Sequence, residues 1–228
     1  MPRTPSKPRV GPADVVREYG PFPGVPHVHG VSFDGSAVWI AAGESLQSFD
    51  PASGRVTRSL PVVATGGTAF DGRHLFQLAG ELIQKIDPNT GEVLSTLPAP
   101  APGPHSGLTW AEGTLWVARY RHRQIVQIDP ETGRVLRTVE STRFVTGVTW
   151  IEGVEGAEGQ LWHGTRGDDV NPENELRRVD PATGDVLERL VMPEGVLVSG
   201  LEAGHDDVLY AGGATSGKVR AVRRPSHG

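Results

Sequence analysis

Cysteine is absent from this 228-residue chain, which excludes disulfides, thiolate metal sites and cysteine nucleophiles. Lysine is scarce, 3 against 19 arginines, a bias read as codon usage rather than function. The formal net charge is −5, and no Lys/Arg-rich run is long enough to track a phosphate backbone, so nucleic acid is not an expected partner. No apolar stretch approaches the roughly 20 residues needed to cross a bilayer, so no membrane partner is expected. The opening Met1-Pro2-Arg3-Thr4-Pro5-Ser6-Lys7-Pro8 carries positive charge with no apolar run behind it. It does not read as a signal peptide, and a cytoplasmic location is the expectation. Ser32, Ser106 and Ser199 lack a Gly-x-Ser-x-Gly elbow, and neither a glycine-rich phosphate loop nor a Gly-x-Gly-x-x-Gly fingerprint is read. No nucleotide or organic cofactor is implied.

What the chain does have is a repeated phrase. Phe49-Asp50-Pro51-Ala52-Ser53-Gly54, Ile86-Asp87-Pro88-Asn89-Thr90-Gly91, Ile128-Asp129-Pro130-Glu131-Thr132-Gly133 and Val179-Asp180-Pro181-Ala182-Thr183-Gly184 share one pattern. Asp-Pro opens a tight turn and Gly supplies its positive-φ position, so each copy joins two antiparallel strands. Upstream, Gly30, Gly67, Gly107 and Gly147 each lead a short β run ending in Phe33, Phe70, Trp110 or Trp150. The next strand carries an aromatic at one fixed place: Trp39, Phe76, Trp116, Trp162. A fifth, degenerate copy has Gly200 and Tyr210 but no Asp-Pro turn.

Four short antiparallel strands at a period of about 40 residues are the blade of a β-propeller. The fold class read here is all-β: a five-bladed propeller whose last blade lacks an outer strand. Val15-Val16-Arg17-Glu18-Tyr19 matches the outer-strand pattern of Val135–Val139 and Val186–Leu190, so this N-terminal strand closes the ring. The expected organisation is a flexible segment 1–13, one propeller domain 14–224, and a flexible end 225–228.

From about Asp14 to Arg224 the repeats resemble the broad propeller superfamily of YVTN-repeat proteins, gluconolactonases and streptogramin lyases. The likeness is carried most clearly by the third blade's Glu-Gly…Leu-Trp-Val-Ala…Ile-Asp-Pro-Glu-Thr-Gly. Five blades are also what plant-type glutaminyl cyclotransferases have. The latter resemblance implies a catalytic glutamate directly before one blade-entry glycine; here those residues are His29, Gly66, Ser106, Thr146 and Ser199. Streptogramin lyases share the Pro-His-Gly style of blade entry, which implies a divalent ion and a histidine. Gluconolactonases imply a Glu/Asn/Asp metal set that this chain does not obviously offer.

Function in a propeller gathers where the innermost strands begin, whereas the Asp-Pro aspartates on the other face read as structural. Pro26-His27-Val28-His29-Gly30 and Pro104-His105-Ser106-Gly107 enter blades one and three. In an extended segment His27 and His29 share a side. They are candidate ligands for zinc, manganese or calcium, with His105, Glu44 or Glu81 as a third; the alternative is that the histidines cap strands. Two residues past each entry glycine lie Ser32, Ala69, Thr109, Thr149 and Glu202. A carboxylate among small neighbours is a candidate general base, unless the register slips and puts it in a turn. Arg119, Tyr120 and Arg166, in loops of opposite charge, are candidate anchors for an anionic substrate, against a reading as surface ion pairs. His163, in a packed strand, is either a catalytic group or a satisfied core histidine.

Two functions follow. One is a small-molecule enzyme with acid–base or metal-assisted lyase, hydrolase or cyclase chemistry at the channel mouth. There Glu202, His105 and His163 would be catalytic, Arg119, Tyr120, Arg166, Glu44 and Glu81 would bind substrate, and His27 and His29 would bind metal. The other is a noncatalytic propeller binding a peptide or partner protein through its loops.

Overall fold

The Asp-Pro turns dictate where each blade folds back on itself. In a computed structural model that describes residues 7–153 and 158–225, the Asp50 carboxylate accepts hydrogen bonds from the Ala52 and Ser53 amides. Asp129 holds Glu131 and Thr132 in the same way, and Asp180 holds Ala182 and Thr183. The glycines closing these turns have φ between 70° and 80°, where only glycine is unstrained.

Five four-stranded antiparallel units result. Blade one comprises β3 (Gly30–Phe33), β4 (Val38–Ala41), β5 (Leu46–Phe49) and β6 (Val56–Leu60). Blade two comprises β7 (Thr68–Phe70), β8 (Leu75–Ala79), β9 (Leu82–Ile86) and β10 (Val93–Pro98). Blade three holds β11 (His105–Ala111), β12 (Thr114–Arg119), β13 (Gln124–Ile128) and β14 (Val135–Glu140). Blade four holds β15 (Phe144–Ile151), β16 (Gln160–Arg166), β17 (Glu175–Val179) and β18 (Val186–Val191). Blade five is β19 (Gly200–Ala203), β20 (Val208–Gly212) and β21 (Val219–Arg223), completed by β2 (Asp14–Tyr19). The protein is thus a five-bladed β-propeller closed by its N-terminal strand. No helix in the described residues is long and apolar enough to cross a membrane.

One element departs from expectation. Residues 9–12 are not a flexible lead: β1 (Arg9–Pro12) runs parallel to β18 and adds a fifth strand to blade four. The chain then crosses directly into blade five as β2. Residues 1–6 and 226–228, also expected to be flexible, lie outside the described residues.

The repeated aromatics explain the cohesion between blades. Phe76 of blade two stacks on Trp110 of blade three at 5.4 Å, and Trp116 stacks on Trp150 of blade four at 5.9 Å. Tyr210 packs on Phe33 at 5.8 Å across the closing seam. Each seam carries its own apolar cluster, so the core is five wedges rather than one centre. Arginine adds a second tie. Arg17, Arg58 and Arg137 occupy equivalent outer-strand positions, and each donates to the carbonyl of the next blade's Asp-Pro turn, at Pro51, Pro88 and Pro181. Part of the arginine excess therefore has a structural use.

At the axis the five entry glycines touch. A Cβ on Gly30 would lie 2.6 Å from the Gly66 carbonyl oxygen, one on Gly107 2.7 Å from the Val148 amide, and one on Gly200 2.6 Å from the Val31 amide. Gly67 abuts Gly107, and Gly147 abuts Gly200, in the same manner. Backbone packs on backbone all the way round, which leaves no space for a side chain.

Candidate functional site

The residue before each entry glycine faces the opposite way from the repeat's turns, and all five gather. His29, Gly66, Ser106, Thr146 and Ser199 line one cavity of about 230 Å³, each one residue along the chain from the glycine ring. His27, His105, Tyr120 and Arg166 complete the charged and aromatic part of the wall. Five of the residues singled out in the sequence are thereby brought together.

His27 and His29 are half-buried and stack, with ring centroids 4.2 Å apart and planes inclined by 27°. Burial holds both imidazoles below their ordinary range, and for His29 the proximity of His27 adds to the effect. Both are therefore neutral near pH 7, and a proton taken by one disfavours protonation of the other. His105 meets the Pro100 carbonyl through Nε2 at 3.3 Å, while its Nδ1 is buried without a partner. Thr146 Oγ1 is likewise buried and unpartnered. Tyr120 stacks on Phe144 at 5.0 Å. Arg166 ends β16, exposed, and its side chain makes no hydrogen bond or ion pair among the described residues. Ser199 and Ser106 are occupied: Ser199 Oγ donates to the Val28 carbonyl at 2.5 Å and Ser106 Oγ to that of Val145 at 2.7 Å.

The pair does not fit a metal as arranged. Two nearly parallel ring planes cannot both contain one ion at bonding distance, and among the described residues no three His, Asp or Glu side chains are grouped to hold one.

The structure places the other five candidates outside this cavity. Glu44 and Glu81 sit exposed at loop tips, outside the cavity wall. Arg119 is committed to its own blade, donating to Gln124 Oε1 at 2.8 Å and to the Pro102 carbonyl. His163 is fully buried in β16 beside the Gly164 carbonyl, and burial drives it down to about 4; it is a neutral core histidine. Glu202 is in register, not in a turn, but two residues beyond the glycine ring from Ser199. At roughly 3.3 Å per strand residue it lies on the far side of the glycine ring from the histidines, and it does not line the cavity.

Glu202 is 9 % exposed. Its Oε1 accepts from Thr149 Oγ1 at 2.6 Å and from the Ala203 amide at 2.9 Å. Burial outweighs these bonds and pushes the carboxyl up to about 8. Between the ordinary value of 4.5 and 8 the native state keeps a proton that the unfolded chain has released, so its contribution to stability falls as pH rises through that window and levels off above it. The expected result is that Glu202→Gln, which cannot ionise, gains on the wild type by a few kcal/mol between about pH 5 and pH 8. Denaturant unfolding of both proteins across that range measures it; parallel curves would mean that the carboxylate is solvated.

The sequence signal for this cavity was the station before the entry glycine, a repeat position rather than a motif. A family model described as outer membrane protein assembly factor BamB, PQQ_2, matches residues 79–226, more than half of the chain. The protein belongs to the PQQ_2 family. Among solved structures this PQQ_2 propeller is similar to Myxococcus xanthus glutaminyl cyclase, with a TM-score of 0.74 and 16% identity over 95% of this chain and 98% of that one. It is also similar to a chain of a mitotic checkpoint complex, with a TM-score of 0.55 and 12% identity over 99% of this chain and 96% of that one. At such identities both likenesses show the fold alone. No curated protein matches the sequence significantly. Phe144, whose ring backs the cavity-lining Tyr120 of the PQQ_2 propeller, was not singled out in the sequence; an aromatic at a strand start gives no sign of which neighbour it will meet.

Proposed function

We propose that the cavity is the site of an acid–base enzyme acting on a small anionic molecule, with the His27–His29 pair as proton acceptor and Arg166 as anchor. One observation carries this: a neutral imidazole pair and an arginine without a side-chain partner open onto one cavity. A neutral imidazole is ready to take a proton near pH 7, and a free guanidinium grips a carboxylate or phosphate through two parallel N–H groups. Elimination, intramolecular cyclisation and hydrolysis all begin with such a proton removal. In the glutaminyl cyclotransferases that the blade count resembles, the station before an entry glycine holds a glutamate; here His29 is the one such residue able to accept a proton. The likeness to a glutaminyl cyclase scaffold supports the cyclase branch.

The test is a thermal-shift screen of small carboxylates and phosphate esters, including peptides with N-terminal glutamine, followed by kinetics on any hit. His29→Asn should lower kcat by about 10²–10⁴. Arg166→Gln should raise KM about tenfold or more with little change in kcat. Turnover untouched by either variant would end this reading. A second reading, a noncatalytic propeller docking a peptide or partner, is supported by Val170, 85% exposed on the blade-four loop. Binding to that loop without turnover of any hit would favour it.

A further inference from the structure

We infer a second, separate anion site behind the cavity, where Arg220 and the β20–β21 loop cradle a phosphate group. Arg220 is 8% exposed and lines a void of about 150 Å³ together with Gly195, Leu197, Gly213, Thr215 and Ser216. Its Nε donates to Glu18 Oε1 at 2.6 Å, but its Nη1 is buried with no hydrogen-bond partner. A buried guanidinium N–H left unpaired is costly, and a missing ligand is the direct way to satisfy it.

Three further observations point the same way. The local charge does not balance: Glu18 is the partner of both Lys218 and Arg220, so two cations share one carboxylate and one positive charge is left. The guanidinium reaches the loop because residue 213 has no side chain; a Cβ there would lie 2.7 Å from Arg220 Nη1. The Thr215 hydroxyl and amide make no hydrogen bond among the described residues, so both are free to donate. Ser216 Oγ, by contrast, is spent on the Gly213 carbonyl at 2.7 Å and shapes the turn.

Gly212-Gly213-Ala214-Thr215-Ser216-Gly217-Lys218 has the spacing Gly-x-x-x-x-Gly-Lys, although the sequence reading counted no phosphate loop. It is followed by Val219 and a strand, not by Ser/Thr and a helix, so it lacks the magnesium hydroxyl and the helix end of a nucleotide loop. What remains is a cradle for a compact oxyanion, with hydroxyl, amide and guanidinium donors converging. Leu197 lines both this void and the histidine cavity, so an anion here sits next to the site described above while using none of its polar side chains.

The experiment is calorimetric titration with inorganic phosphate at constant ionic strength, with a phosphate monoester and acetate as parallel ligands. One saturable site at millimolar affinity or better is expected for phosphate, weakened at least tenfold by Arg220→Gln and severalfold by Thr215→Val. Thr215 is exposed, so its variant keeps the fold if Arg220→Gln does not. Glu18→Gln should tighten phosphate binding, an effect that a merely structural arginine would not produce. His29→Asn and Arg166→Gln should leave the Arg220-dependent phosphate binding unchanged and remove only phosphate binding that persists in Arg220→Gln, which separates this site from the proposed active site. A monoester binding more tightly than phosphate identifies a phosphorylated small molecule as the source; equal binding identifies free phosphate. Absence of saturable binding, acetate binding as well as phosphate does, or phosphate binding that survives both Arg220→Gln and Thr215→Val would overturn the proposal.

Discussion

Glu175→Gln should remove most of the stability of blade four, the largest effect expected from any single polar substitution in this protein. Glu175 is fully buried and faces three arginines. Arg177 Nε lies 2.6 Å from its Oε2 and Arg143 Nη1 3.1 Å from Oε1; Arg189 closes on Oε1 as well. Burial alone would raise this carboxyl, but the bonds from Arg189 and Arg177 outweigh it and hold the group below its ordinary range. Its stabilising contribution is therefore present above the ordinary carboxylate range and lost in acid, opposite in sign to Glu202. Removing the charge strands two buried guanidinium groups without a counter-ion, and such a loss costs about 3–5 kcal/mol. Thermal unfolding should show a drop of roughly 10 °C or more. Adding Arg177→Met to Glu175→Gln should recover part of it, since the pair fails additivity. A loss of under about 1 kcal/mol would mean that water reaches the guanidiniums.

Gly107→Ala should be comparably damaging for a different reason. The added methyl would meet the Val148 amide and the Gly147 backbone at 2.7–2.9 Å, and backbone atoms in a closed ring have nowhere to retreat. The expected loss exceeds about 3 kcal/mol, the upper end of overpacking, read by denaturant unfolding or by failure to accumulate as soluble protein. Gly11→Ala is the control, since nothing lies within 4 Å of a Cβ there; it should change stability by less than about 0.5 kcal/mol. A Gly107→Ala protein as stable as the control would show that the ring can dilate.

The propeller was legible because its signals are local and repeated. An Asp-Pro turn with glycine at its end defines a hairpin within six residues, and the aromatic at a fixed strand position defines the seam. The cavity was legible to the extent that topology sets it: His27, His29, His105, Tyr120 and Arg166 all lie at strand ends on one face. What failed was what depends on a side chain's direction. Ser199 immediately precedes β19 and Glu202 lies three residues on within it, yet the glycine ring separates their environments. Arg119 lies opposite His105 in register but turns to Gln124. Glu44 and Glu81 sit in loops whose spacing says nothing of where a tip points. The Arg220–Glu18 pair joins positions 202 residues apart, beyond any local reading. Arg9–Pro12 was missed because a four-residue strand containing proline carries almost no pattern.

The pairing of β2 with β21 also sets an order of events. Asp14–Tyr19 is made before all of blades one to four, and its partner Val219–Arg223 after them. Until Val219–Arg223 is made, the strand that closes the ring has no mate, while blades one to four can form by local pairing. Ring closure therefore follows the formation of the other blades, when β21 meets β2. A chain interrupted before Val219 would carry an open sheet edge on blade five, an invitation to pair with the early strand of another copy.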